Sequence, residues 1–204
     1  MREDGFVARN WGWIIGAMGL GALAYIAIRF GVGVFEQTYW FALLLVPAAW
    51  LHEAEEYALC DFWGWYNNTC FKSKERFFPL SRKRAFIINS GTVPLVILQA
   101  FIAPNFIYLT LFLLLTVHAN AWMHLIYTVG EGRYSPGTAT SVLFYWPLTY
   151  VALFQIVTHE LMPLWQVLLI FALSVGAGFG LFGYLRGVAQ TQPERLYPVP
   201  AAVE

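Results

Sequence analysis

The chain has 204 residues, of which 59% are hydrophobic, 18% aromatic and only 12% charged, with no net charge at pH 7. A soluble domain would carry about a quarter charged residues, and a mean hydropathy of +0.57 excludes an ordinary water-soluble globule. The charge balance gives no footing for nucleic acid, and two cysteines, Cys60 and Cys70, make no disulfide framework.

The apolar residues fall in runs long enough to cross a bilayer, about 20 residues each. Six spans are predicted: Trp11 to Phe30, Tyr39 to Cys60, Ala85 to Ala103, Phe106 to Tyr127, Pro136 to Val157 and Pro163 to Leu185. Ahead of the first, Arg2, Glu3, Asp4 and Arg9 mix charges, and no clear cleavage site follows it, so it reads as a span and not a removed signal. Gly12 and Gly16, then Ala17 and Gly21, recur at four-residue spacing, as do Ala172, Gly176 and Gly180 in the sixth span. Small residues so spaced let helix backbones approach closely. Packing inside one bundle ranks ahead of a seam between two copies, although a homo-oligomer stays open.

The segment from Asp61 to Arg84 interleaves Trp63, Trp65, Tyr66, Phe71, Phe77 and Phe78 with Lys72, Lys74 and Arg76. Such a mixture suits a segment lying on the cytoplasmic lipid surface; a lid over a site is the other reading. Pro47, Pro94 and Pro147 fall inside spans and can kink them. In Ser135-Pro136-Gly137-Thr138, Ser135 is the expected N-cap of the fifth helix and Pro136 its first residue. The free N–H groups there, with the hydroxyls of Thr138, Thr140 and Ser141, could receive an anion. Placing the N-terminus in the cytosol puts every Lys and Arg except Arg29 on the cytoplasmic side. The expected fold is therefore all-α: one transmembrane domain over residues 1–204, six helices, both termini cytoplasmic, a cytoplasmic interfacial loop at 61–84 and a tail at 188–204. In a bacterium it would lie in the inner membrane.

Against this background one stretch stands out, Trp50-Leu51-His52-Glu53-Ala54-Glu55-Glu56-Tyr57. Ionisable residues inside a span mark a functional site by default. Glu55 and Glu56 follow His52 by three and four residues, so the three share a helix face, with Glu53 at its edge. The topology brings Asn89 of the third span and His118, Asn120 and His124 of the fourth to similar depths in the cytoplasmic half. His118 and His124 are six residues apart, about 120° around an ideal helix, so one of them is expected to orient and not to ligate. His159, beside Glu160 in the outer loop, is not expected in the site.

His52, Glu55 and Glu56, within HEAEE, resemble the motif of the HXXEE-domain family of membrane proteins. Asn89 with Pro94, the stretch from His118 to His124 and Tyr134-Ser135-Pro136-Gly137 extend the likeness over Tyr39 to Thr140. The resemblance implies metal binding or membrane enzymology but no particular reaction. His52 and Glu56 are also spaced like a histidine and glutamate of the emopamil-binding sterol isomerases.

Two classes of enzyme follow, and one of carrier. A metal-dependent enzyme would use His52, Glu56, His118 and His124 as ligands, with Glu55, Glu56, Asn89 and Asn120 as acid–base or orienting groups. Three ligands and an open position suit catalytic zinc; iron is the alternative, and hydrolysis ranks ahead of oxidation. A metal-free isomerase would share protons between histidine and glutamate. A carrier would pass protons or metal ions through the same cluster. The expected partners are membrane lipids and a hydrophobic or amphiphilic small molecule.

Overall fold

A computed structural model describes residues 5–36, 40–91, 97 and 107–197. Among these residues the chain is helical throughout, without strands, and carries an antiparallel bridge between Ser73 and Leu196. A short α1 (Phe6–Arg9) leads into α2 (Trp11–Phe30), which ends at Gly31, whose φ of 54° suits glycine, and runs on as a 3-10 stretch, Gly31–Glu36. The helix α3 (Trp40–Ala54) continues as a π-helical turn over Glu55–Leu59. Next come α4 (Phe62–Phe71), capped by Asp61, and α5 (Arg82–Ser90), capped by Ser81. Three long helices follow: α6 (Ile107–Glu131), α7 (Thr138–Thr158), which has a π segment at Ser141–Tyr145, and α8 (Leu164–Gln190).

Among the described residues, four helices are long and apolar enough to cross a membrane: Trp11–Phe35, Ile107–Glu131, Thr138–Thr158 and Leu164–Gln190. The second predicted span corresponds to α3 with its π turn. The third begins in α5, and the rest of it, with Pro94, lies outside the described residues. The fifth helix starts at Thr138, not Pro136: Gly137 takes a φ of 97° and breaks the helical path, so Ser135 is freed from capping.

Small residues bring α2 and α3 together in antiparallel fashion. Gly12 lies against Tyr57 and Ala58, Gly16 against Ala54, and Gly19 against Trp50 and Leu51. A Cβ on Gly12 would come within 2.5 Å of the Tyr57 backbone, so only glycine permits this approach. The expected stripe on α8 differs, since Gly176 and Gly180 meet nothing within 4 Å. Phe41, Leu45 and Val46 of α3 and Leu114 of α6 form the centre of the core.

The aromatic residues that follow Asp61 pack inward. Phe62, Trp63, Tyr66 and Phe71 of α4 are buried in a second cluster with Leu185 and Ala189 of α8. Asn67, fully buried, fixes the turn that follows: its Nδ2 donates to the carbonyls of Arg76 and Leu80, and its Oδ1 accepts from the Leu80 amide. The C-terminal segment is tied to this turn. The Tyr197 amide donates to the Lys72 carbonyl at 2.8 Å and the Lys74 amide to the Arg195 carbonyl at 2.9 Å. Arg195 also pairs with Glu75 and covers the Phe78 ring. The start of α2, the ends of α3, α6 and α8, the start of α7 and all of α4 thus gather at one end of the bundle.

Candidate metal centre

At that end the π turn separates two neighbouring glutamates. The Cys60 amide reaches back five residues to the Glu55 carbonyl at 2.9 Å, and such bulges recur at functional sites. Glu55 points to the start of α7. Its Oε1 accepts from the amides of Gly137 at 2.9 Å and Ala139 at 3.2 Å, and from the Tyr134 hydroxyl. Its Oε2 accepts from the Thr140 amide at 2.8 Å and the Thr140 hydroxyl at 2.5 Å. The anion expected at the start of the fifth helix is therefore supplied by the chain itself. Burial and the bond to Glu55 push the Tyr134 hydroxyl up to about 12, so it stays a donor at neutral pH. With both oxygens engaged, Glu55 is an anchor and is not available as a free base.

Glu56 points the other way, to two imidazoles. Its Oε1 lies 3.4 Å from His52 Nε2 and 3.1 Å from His124 Nε2. His52, Glu56 and His124 are all buried, and their ligand atoms lie within 4.8 Å of one another, so this group could hold a metal ion. The far nitrogen of each ring is oriented by a hydroxyl: His52 Nδ1 meets Thr140 Oγ1 and His124 Nδ1 meets Ser135 Oγ, both at 2.9 Å. The Thr140 hydroxyl has one hydrogen and gives it to Glu55. It must then accept from His52, which puts a ring proton on Nδ1 and turns Nε2 toward Glu56. Asn120 Nδ2 bridges both rings, 3.1 Å from His52 Nε2 and 3.2 Å from His124 Nε2. Two imidazole nitrogens thus converge on one buried carboxylate oxygen. Bare nitrogens pointed at a buried carboxylate would repel it, so the arrangement calls for a proton or a metal ion between them.

The walls are close. A Cβ on Gly137 would sit 2.7 Å from His52 Cε1 and 2.9 Å from His124 Cε1, so glycine alone fits where the loop crosses both rings. Tyr145 covers His52 with ring centres 4.7 Å apart, and Phe62 and Trp65 of α4 cover His124 at 6.1 and 6.0 Å. The lid reading of the aromatic loop thus has a concrete form.

The remaining expected site residues lie elsewhere. His118 is outside the group, as the 120° offset from His124 demands. Its Nε2 accepts from the Trp122 indole at 3.0 Å, and Tyr150 stands against its ring. Asn89 interacts with Glu53 and Tyr57. Glu53 accepts from the Trp11 indole at 3.1 Å, on the α2 side. His159 follows the far end of α7. Sequence reasoning missed the Thr140–His52 and Ser135–His124 bonds and the wedge at Gly137. The signal was the run Tyr134-Ser135-Pro136-Gly137 with the hydroxyls of Thr138, Thr140 and Ser141, read as a helix cap or an anion site and not as support for the histidines.

Comparison with known proteins adds one finding. No curated protein and no solved structure matched the chain. A family model described as a protein of unknown function with an HXXEE motif matches residues 43–152. That stretch is more than half of the chain and contains His52, Glu55, Glu56, Asn120, His124, Gly137 and Thr140, and the chain belongs to the HXXEE family.

Proposed function

We propose that this is a multi-pass membrane enzyme that binds one divalent metal ion at His52, Glu56 and His124 and acts on a lipid or another amphiphile. The observation that carries the reading is the convergence of two buried imidazole nitrogens on one Glu56 oxygen, at 3.4 and 3.1 Å, with each imidazole held from behind by a hydroxyl. Hydroxyl or carboxylate partners behind metal-binding histidines fix the ring and its tautomer. Two imidazoles and one carboxylate form the ligand set of many catalytic zinc sites. When bound, such an ion supplies a Lewis acid and an activated water. One carboxylate among the histidines weighs against a pair of irons, and hydrolysis remains ahead of oxidation.

The chain's own groups define what the site can do. Glu55 and Thr140 hold His52 in one tautomer, Ser135 holds His124, and α4 keeps bulk water away. A surface hollow of about 260 Å³ bounded by Trp65, Lys72, Glu131 and Arg133 lies on the outer side of Trp65. Its two cations suit the polar head of an amphiphile whose tail stays in the bilayer. In this reading the chain crosses six times, the four long apolar helices being joined by α3 with its π turn as the second span and by a third that opens with α5. The basic end, which holds the site, faces the cytosol in this reading.

A second reading rests on the same contact. A proton between His124 and Glu56 would also relieve the repulsion, giving a metal-free acid–base pair. Elemental analysis of the detergent-purified full chain separates the two. One zinc per chain is expected, lost in His52→Ala and His124→Ala and retained in His118→Ala. A protein that stays metal-free after incubation with zinc would turn the assignment to the acid–base pair.

A further inference from the structure

We propose that Asn120 is the fourth ligand of this centre, binding the ion through its side-chain carbonyl after the amide turns over. The inference rests on the metal reading above and concerns what fills the position that three ligands leave open. The terminal amide atom of Asn120 stands 3.1 and 3.2 Å from the two Nε2 atoms, and Glu56 Oε1 stands 3.4 and 3.1 Å from the same atoms. Ligands about 2.0–2.2 Å from a tetrahedral ion stand roughly 3.3–3.6 Å apart. Four of the six edges among these atoms therefore already come close to those of such a tetrahedron, and the two imidazole nitrogens lie within 4.8 Å of each other.

The amide explains how the site persists without an ion. With its NH2 inward, Asn120 reaches the Nε2 atoms of both rings and holds them together. An ion claims the Nε2 lone pairs, and an NH2 group facing a cation is then unfavourable. Rotation about the last side-chain bond exchanges nitrogen for oxygen with little change in shape, since the two ends are nearly the same size. Asn120 and His124 are four residues apart on α6, so one helix face carries both. An amide oxygen is a neutral ligand and gives way more easily than an imidazole or a carboxylate. Asn120 is thus a displaceable ligand that closes the centre at rest and frees a position for substrate.

Cobalt(II), titrated into the detergent-solubilised full chain and followed by visible absorption and bound-metal analysis, tests this without any activity assay. The wild type should bind one cobalt with the intense bands of a four-coordinate ion. Asn120→Ala should keep one cobalt per chain, bind it about ten- to a hundredfold more weakly and lose band intensity as water enters. Asn120→Asp, which keeps an oxygen and adds charge, should bind more tightly than the wild type and keep the intense bands. Unchanged affinity and spectrum in Asn120→Ala would overturn the proposal, as would Asn120→Asp binding no better than Asn120→Ala, which serves if the alanine variant fails to fold. A wild type that binds neither cobalt nor zinc would overturn the metal reading itself, a distinct result.

Discussion

Adjacent glutamates in the HEAEE stretch do different work because the residues they meet are different. Glu55 accepts three backbone amides and two hydroxyls, and Glu56 meets two imidazoles. Charge-assisted bonds to a buried carboxylate contribute about 1.5–3 kcal/mol each, and they overlap when one group is removed. Glu55→Gln should therefore lower stability by on the order of 3 kcal/mol in thermal unfolding, while the purified protein still takes up one zinc. Loss of zinc with unchanged melting would mean that Glu55 is a ligand and that its role as an anchor is wrong. At this scale helical spacing made half of the centre legible: His52 with Glu56, and Asn120 with His124, are both four apart. The same geometry singled out the His118–His124 conflict. What stayed hidden depends on a loop conformation. The bonds from Thr140 and Ser135 form only because Gly137 adopts a φ of 97°, which no periodicity announces.

Hydropathy located the long helices to within a few residues, because each must present some 20 apolar residues to lipid. It says less about the stretch after Asp61, where aromatics among basic residues look the same whether they face lipid or a protein core. In fact α4 turns Phe62 and Tyr66 inward, and Asn67 locks the turn behind it. The tail clasps that turn through the Glu75–Arg195 pair, which lowers the Glu75 carboxyl below its ordinary value of 4.5. A lowered carboxyl contributes stability above its unfolded value and loses it as pH falls through the folded one. Hydrogen exchange at the amides of Lys74 and Tyr197 should accordingly quicken as pH falls below the ordinary carboxyl value of 4.5. It should do so to a similar degree at neutral pH in Arg195→Ala. The pair is exposed, so salt should weaken it too. Exchange indifferent to both changes would show that the backbone bonds hold the tail unaided.

For the molecule as a whole, the gathering of basic residues and buried polar groups at one end predicts a definite sidedness. A cysteine placed at Glu194 should react with an impermeant maleimide only from the cytosolic face, and one at Glu160 only from the opposite face, in a background where Cys60 and Cys70 are replaced. Labelling of both from the same face would remove the even number of spans. The overall bundle was legible because lipid imposes a simple rule on composition. The closeness of α2 to α3 was legible only as a spacing of small residues, which names no partner. The similar stripe on α8 meets open space, so one pattern has two outcomes.

The antiparallel contact of α2 with α3 bears on how the protein is made. His52 precedes Asn120 by 68 residues and Thr140 by 88. A chain emerging from its N-terminus must deliver α3 to the bilayer before α6 and α7 exist. Each acidic residue in the middle of a lone inserting helix costs about 2.5–3.5 kcal/mol. The helix already present is α2, whose glycines accept α3 at close range and whose Trp11 indole donates to Glu53. In the proposed topology, synthesis order thus makes the α2–α3 hairpin the first unit to form, and Glu55 and Glu56 wait on α7 and α6 for their partners.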